Sequence, residues 1–249
     1  MIIDRPQAKQ AAKNCMRTAR VSPYQIALIF ILINFVMSAF AQYMLQIFGI
    51  PYYLDYAYAS VMGPSALNIF IYVMVELISI LLSAGFTTYC LAVRRGLEMP
   101  VSTLFDGFSI AGKIILLEIV MSIFIFLWSL LFIIPGIIAT YRYRFALYNL
   151  LENPDIGILE AISMSKVQTV GYKWQLFVLD LSFLGWSILS IFTLGFLNIW
   201  LLPYMTLTNI AFYDTICAEK GMTASGQEGW HSGTPDSPDA ENHSNSQQL

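Results

Sequence analysis

The chain has 249 residues, 57% of them hydrophobic and 12% charged, with a mean hydropathy of +0.63. A soluble fold could not hide so much apolar surface behind so few charges, since soluble domains carry about 25% charged residues. Several apolar runs reach the roughly 20 residues that cross a bilayer, so the chain reads as an all-α, polytopic transmembrane helical bundle of six spans (alternative five).

The formal charge of −3 is unevenly placed. From Gly221 onward the chain carries Glu228, Asp236, Asp239 and Glu241 and no Lys or Arg, which leaves +1 on the rest. The reading divides the chain into a basic cytoplasmic segment (1–23), a six-helix transmembrane domain (24–218) and an acidic cytoplasmic tail (219–249). The tail is Ser, Gly, Pro, Asn and Gln with few aliphatic residues, so it cannot repay its ordering entropy and reads as disordered. Both histidines, His231 and His243, fall in it, so the membrane domain lacks the commonest general base and metal ligand. Cys15, Cys90 and Cys217 are too few and too scattered for a disulfide framework.

In the basic segment Arg5, Lys9, Lys13, Arg17 and Arg20 recur at three- and four-residue intervals around Ala8, Ala11, Ala12, Cys15 and Met16. That pattern suits a helix lying on an anionic leaflet, and equally a solvated basic leader that sets orientation. Tyr24 to Phe48 is the first span. Its start resembles a signal peptide ending at Ala39-Phe40-Ala41, but the apolar run continues to Ile47, which favours an uncleaved helix. An outer loop, Gly49 to Ser65, follows with Asp55, Tyr52, Tyr53, Tyr56 and Tyr58 and no Lys or Arg; clustered tyrosines suit the headgroup zone. The second span, Ala66 to Val93, ends at Arg94 and Arg95.

Val101, Leu104, Phe105 and Phe108 then recur with helical spacing and predict a short amphipathic helix. Lys113 opens a third span running to about Ile133. Pro135-Gly136 predicts a tight outer turn before a fourth span, Ile137 to Leu151; the alternative is one kinked helix that exits at Tyr141. Asn153-Pro154-Asp155 ends that element, with Asp155 placed to cap a second amphipathic segment, Ile156 to Val170. The fifth span ends near Phe192, and the sixth runs from Phe196 to Cys217 with Pro203 as a kink.

This layout puts Arg5, Lys9, Lys13, Arg17, Arg20, Arg94, Arg95, Lys113, Lys166, Lys173 and Lys220 on the cytoplasmic side, with no Lys or Arg in any outer loop. Such asymmetry sets orientation, and it disfavours five spans, which would put Arg142, Arg144, Lys166 and Lys173 outside. The order also has a rhythm: amphipathic segment, then hairpin, three times over. Either an internal repeat or the general sameness of hairpin proteins explains it.

Ionisable residues within the spans are the sharpest functional signal. At 1.5 Å per residue, Glu118 lies about 8 Å beyond Lys113 and Asp180 about 10 Å beyond Lys173. An arginine at mid-membrane costs at least ~2.5–3.5 kcal/mol, so such groups should face one another or a wet cavity. The candidate site is therefore a charge network of Glu118, Arg142, Arg144, Asp180 and Asp214 in the inner half of the bundle. It suits either a structural clamp or a polar cavity for a solute, proton or lipid headgroup. Arg142 and Arg144, two apart, need different partners. Glu76 has no obvious partner, and Asn34, Asn68, Asn149, Asn198 and Asn209 suit interhelical hydrogen bonds. No phosphate-binding glycine loop, metal-ligand spacing or nucleophile–base pattern is present, so no metal, cofactor or enzymatic activity is expected. No basic domain supports nucleic-acid binding, and the expected partners are the bilayer, lipid headgroups or a membrane protein.

Glu152-Asn153-Pro154-Asp155-Ile156, Leu159-Glu160-Ala161-Ile162, and Lys173-Trp174 with Phe177 through Trp186 carry a family likeness, as do Leu104 through Phe108, Ile134 through Ile138, and Pro203-Tyr204. On these residues the chain resembles the bacterial integral membrane proteins catalogued as domain of unknown function 975, over nearly everything up to Tyr213. More distantly, the Pro-Gly turn with its amphipathic segment is similar to the membrane domain of some glycerophosphodiester phosphodiesterases. The resemblance implies a multi-pass protein of the bacterial plasma membrane and supplies no catalytic residues. The function it leaves open is either a non-enzymatic module binding lipid or a protein partner, or a small-solute transporter or exporter using the charged cavity.

Overall fold

The structure, a computed structural model, describes residues 5–19, 21–48 and 66–222. The tyrosine-rich loop of 49–65, Arg20 and the acidic tail beyond 222 lie outside the described residues. The described residues form nine α-helices and one 3-10 helix, with no strand among them, which bears out the all-α reading. They are α1 (Arg5–Thr18), α2 (Pro23–Phe48), α3 (Ala66–Arg94), the 3-10 helix (Val101–Phe108), α4 (Ala111–Leu131), α5 (Ile133–Tyr143), α6 (Ala146–Glu152), α7 (Ile158–Thr169), α8 (Lys173–Phe192) and α9 (Asn198–Glu219).

Four of these, α2, α3, α4 and α8, are long and apolar enough to cross a membrane. The two remaining expected spans differ in kind. The fourth is split into α5 and α6 by a turn at Arg144 and Phe145, so neither part alone has the length to cross. The sixth, α9, has 22 residues but is more polar, because it packs within the bundle: Leu207, Ile210, Ala211, Phe212, Tyr213 and Ile216 are all buried against other helices.

Two local expectations shift. The reversal between α4 and α5 falls at Phe132, in extended backbone at φ −159° and ψ 152°, rather than at Pro135-Gly136. Pro135 instead sits in the first turn of α5, where its missing N–H costs nothing. Gly136 lets α5 lie on α4, since a Cβ there would meet the Ser129 Oγ at 2.1 Å. Likewise α7 begins at Ile158, not beside Asp155; the Glu160 carboxylate accepts from the Gly157 N–H at 3.4 Å and satisfies a donor at the helix start.

The turn from α8 to α9 is left-handed at Leu194 (φ 51°) and Gly195 (φ 86°). Every backbone N–H from Thr193 to Leu201 has an acceptor in the chain; Leu197 uses the Thr193 hydroxyl, and the others use carbonyls. Ser190 closes the turn by donating to Asn198 Oδ1 at 2.6 Å.

The three-part rhythm of the sequence takes a specific form in space. Each short helix packs against the second helix of another hairpin: α1 on α9, the 3-10 helix on α3, and α7 on α5 and α6. The second helices in turn meet one another, α3 touching α9 and α6. The ring is therefore closed by the segments between hairpins. In α1 the contact is a stripe of Ala8, Ala12 and Met16, all buried, so the helix is packed onto the bundle rather than solvated. At the 3-10 helix the seam is backbone against backbone: a Cβ on Gly85 would lie 2.0 Å from the Leu104 carbonyl oxygen, and one on Gly107 would lie 2.3 Å from that of Leu81.

Buried residues concentrate at the end of the bundle that holds Arg94, Glu152 and Asp214. The opposite ends of the hairpins carry exposed apolar side chains, among them Phe35, Phe40, Ile69, Phe70, Leu130, Ile133, Phe192 and Leu194. Exposed surface of this kind is stable in lipid and not in water, and the protein is a membrane protein.

The glycine seam yields a direct test. Gly85→Ala forces two backbones apart and should destabilise the fold by about 1–3 kcal/mol. Gly112→Ala, with nothing within 4 Å of its Cβ, should change little. Thermal unfolding followed by a thiol-reactive dye reads both, because Cys90 and Cys217 are buried until the bundle opens; equal stability of the two variants would refute the seam.

Candidate functional site

The second helices of the three hairpins meet in a polar junction. At the end of α3, Arg94 Nε donates to Asp214 Oδ2 on α9 at 3.0 Å, and its Nη1 lies 3.7 Å from the Cys15 sulfur on α1. The adjacent Arg95 pairs with Glu152 at the end of α6. The Glu152 side chain is 2% exposed, so its charge depends on this partner. The Tyr213 hydroxyl lies 2.9 Å from both Glu152 Oε2 and Asn149 Oδ1. Asn149 and Gln168 exchange two hydrogen bonds at 3.0 and 2.8 Å, and Asn149 also donates to the Ala161 carbonyl at 3.2 Å, which ties α7 to the junction. Lys220 extends the tie by donating to the Val167 and Val170 carbonyls at the end of α7.

A second cluster sits where the α5–α6 helix breaks. Arg144 grips Asp180 with both guanidinium nitrogens, at 2.5 and 2.7 Å, and its Nη2 also reaches Asn209 Oδ1 at 3.1 Å. The Tyr141 hydroxyl donates to Asp180 Oδ2 at 3.0 Å. The break leaves backbone groups to satisfy, and α7 supplies the partners: the Phe145 N–H donates to Ser165 Oγ, and the Arg142 carbonyl accepts from the Ser165 hydroxyl. A bidentate arginine–carboxylate pair with two further partners is a closed clamp joining α5 and the break after it to α8 and α9.

The five sequence-chosen residues therefore do not form one connected network. Arg144 and Asp180 pair with each other, and Asp214 pairs with Arg94 at the junction. Among the described residues Arg142 and Glu118 make no ion pair. Glu118 lies apart, with Glu76, Ser79, Ser83, Ile80, Ile114 and Leu147 around a cavity of about 240 Å³ between α3, α4 and α6. The asparagines chosen as interhelical links include Asn34, which accepts from Ser79 at 2.8 Å, as well as Asn149, Asn198 and Asn209. Sequence reasoning missed Gln168, Tyr213 and the pairing of Arg94 and Arg95. The basic pair was absorbed into the orientation argument, and only the position of Glu152, one helix end among several, hinted at its partner.

A cavity of about 540 Å³ lies beneath α1. Its lining is Lys13, Met16 and Arg17 from α1, Tyr24 from α2, Trp186 from α8, and Leu197, Trp200, Leu201 and Tyr204 from α9 and the turn before it. Lys13 Nζ stands 5.9 Å from the Tyr204 ring centroid, and neither Lys13 nor Arg17 has an acidic partner among the described residues. Lys9, one turn earlier, donates to Ser182 Oγ at 2.8 Å and lies 4.7 Å over the Phe183 ring.

Comparison with known proteins adds one match. A family model described as a protein of unknown function (DUF975) matches residues 130–220, from the end of α4 to the end of α9, and supports the likeness over that stretch. No curated protein and no solved structure matches the chain.

The clamp predicts an asymmetric mutational response. Arg144→Gln leaves Asp180 without its bidentate partner and should cost about 3 kcal/mol. Replacing both with apolar residues should recover part of that loss, whereas Arg142→Gln should be near neutral. Thermal unfolding in detergent measures all three, and an Arg142 variant as damaging as the Arg144 one would contradict the assignment.

Proposed function

We propose that the protein is a non-enzymatic module of the bacterial plasma membrane that crosses it six times, keeps both termini in the cytoplasm, and engages lipid or a membrane-protein partner through its short amphipathic helices. The observation that carries this reading is the double role of those helices. The 3-10 helix and α7 pack one face on the bundle while keeping large apolar side chains exposed on another: Val101, Phe105 and Phe108 on the 3-10 helix, and Leu159 and Val167 on α7. An apolar edge beside cations such as Lys166 and Lys173 suits the inner leaflet boundary. The closed Arg144–Asp180 clamp suits a structural role better than a solute path, since both charges already have their partners.

A spin label at Phe105 or Leu159 in nanodiscs should be relaxed by oxygen and shielded from a water-soluble nickel chelate. The reverse accessibility would sink the reading. For sidedness, a cysteine at Lys173 in a background lacking Cys15, Cys90 and Cys217 should react with a membrane-impermeant maleimide only after cells are permeabilised.

A transporter reading has one observation in its favour, the Glu76–Glu118 cavity with its two serines. It requires solute or proton flux in reconstituted vesicles that Glu118→Gln abolishes.

A further inference from the structure

We infer that the cavity beneath α1 is a binding site for a single anionic phospholipid of the inner leaflet, its phosphate held by Lys13 and Arg17 and its acyl chain lying along the aromatic wall of α8 and α9. The inference rests on the lipid-engaging reading above and names the lipid class and the site.

Four observations combine. First, Lys13 and Arg17 stand four residues apart on α1 and so share one face of the helix, at the rim of the cavity. Among the described residues neither is paired with a carboxylate, unlike Arg94, Arg95 and Arg144, each of which has its own acid. Second, the remaining lining is apolar and aromatic, its polar side-chain groups being the phenolic hydroxyls and indole N–H groups of Tyr24, Tyr204, Trp186 and Trp200 beside Leu197, Leu201 and Met16. A soluble phosphate has no use for such a wall, whereas an acyl chain does. Third, the wall is continuous: from Tyr204 on α9 to Leu197 in the turn before it, it runs seven residues, about 10 Å, toward the exposed apolar Leu194 and Phe196 of that turn. Fourth, the volume of about 540 Å³ falls in the range of ligand sites, and the cavity opens toward the surroundings of the bundle rather than closing inside it. Cations at one end and a greasy slot at the other match a phospholipid in orientation as well as in chemistry.

The full chain in nanodiscs is the object to test. Nanodiscs of phosphatidylcholine containing a minority of phosphatidylglycerol with brominated chains should quench the intrinsic tryptophan fluorescence more than nanodiscs with brominated phosphatidylcholine at the same fraction, because Trp186 and Trp200 line the slot. Native mass spectrometry should show phosphatidylglycerol retained preferentially. Lys13→Gln and Arg17→Gln should each lower that preference roughly fivefold. Arg142→Gln, which removes an equal charge away from the cavity, should leave it intact. Equal loss in the Arg142 variant would mean that net charge alone recruits the lipid, and the site would fall. Competition by glycerol 3-phosphate or inorganic phosphate as effective as the lipid would reassign the cations to a soluble anion and also overturn it. Should a Lys13 or Arg17 variant unfold, the quenching contrast on the unaltered protein still decides. If the spin labels at Phe105 and Leu159 face lipid while no preference for phosphatidylglycerol is seen, this site fails and the broader reading stands.

Discussion

A carboxylate held out of water at Glu152 constrains everything around it. Its charge is tolerable only beside Arg95 and the Tyr213 hydroxyl, so the ends of α3, α6 and α9 must arrive at one point in register. Arg94 and Asp214 repeat the linkage between α3 and α9 a few ångströms away, and Asn149 with Gln168 brings in α7. Interhelical polar contacts matter here because lipid gives apolar helices no reason to prefer each other over acyl chains. The junction supplies direction and register, while packing supplies the bulk of the contact.

The ring of short helices follows from the same constraint. Once three second helices converge, their outward faces at that end need cover, and the chain provides it from the segment belonging to a neighbouring hairpin. Close cover needs small contact residues. Ala8 and Ala12 serve α1, and Gly85 and Gly107 serve the 3-10 helix. Because each segment bridges two hairpins, the three hairpins are interlocked rather than merely adjacent.

Much of this architecture was legible from apolar run lengths. The apolar stretches place α2, α3, α4 and α8 within a few residues, since hydropathy reports directly on what lipid requires. The interruption at Arg144 and Phe145 was not legible: it is stabilised by Ser165 and Thr169, some twenty residues onward, whose hydroxyls meet the Arg142 carbonyl. The Pro135-Gly136 pair misdirected the turn for a related reason, because glycine there serves a contact with Ser129 and not a bend. In the candidate site, Arg144 with Asp180 was half visible as charges that needed partners. Which acid met which base depended on helix rotation, and a pattern of residue types does not contain that.

The turn joining α8 to α9 has a consequence for how the molecule meets membranes of different thickness. A loop whose N–H groups all bond to their own chain has no amide donor left for water to satisfy, which lowers the cost of seating its tip among acyl tails. Mismatch between that hairpin and the bilayer is then absorbed by letting the tip ride higher or lower among the lipid chains, while the anchored base holds its tilt.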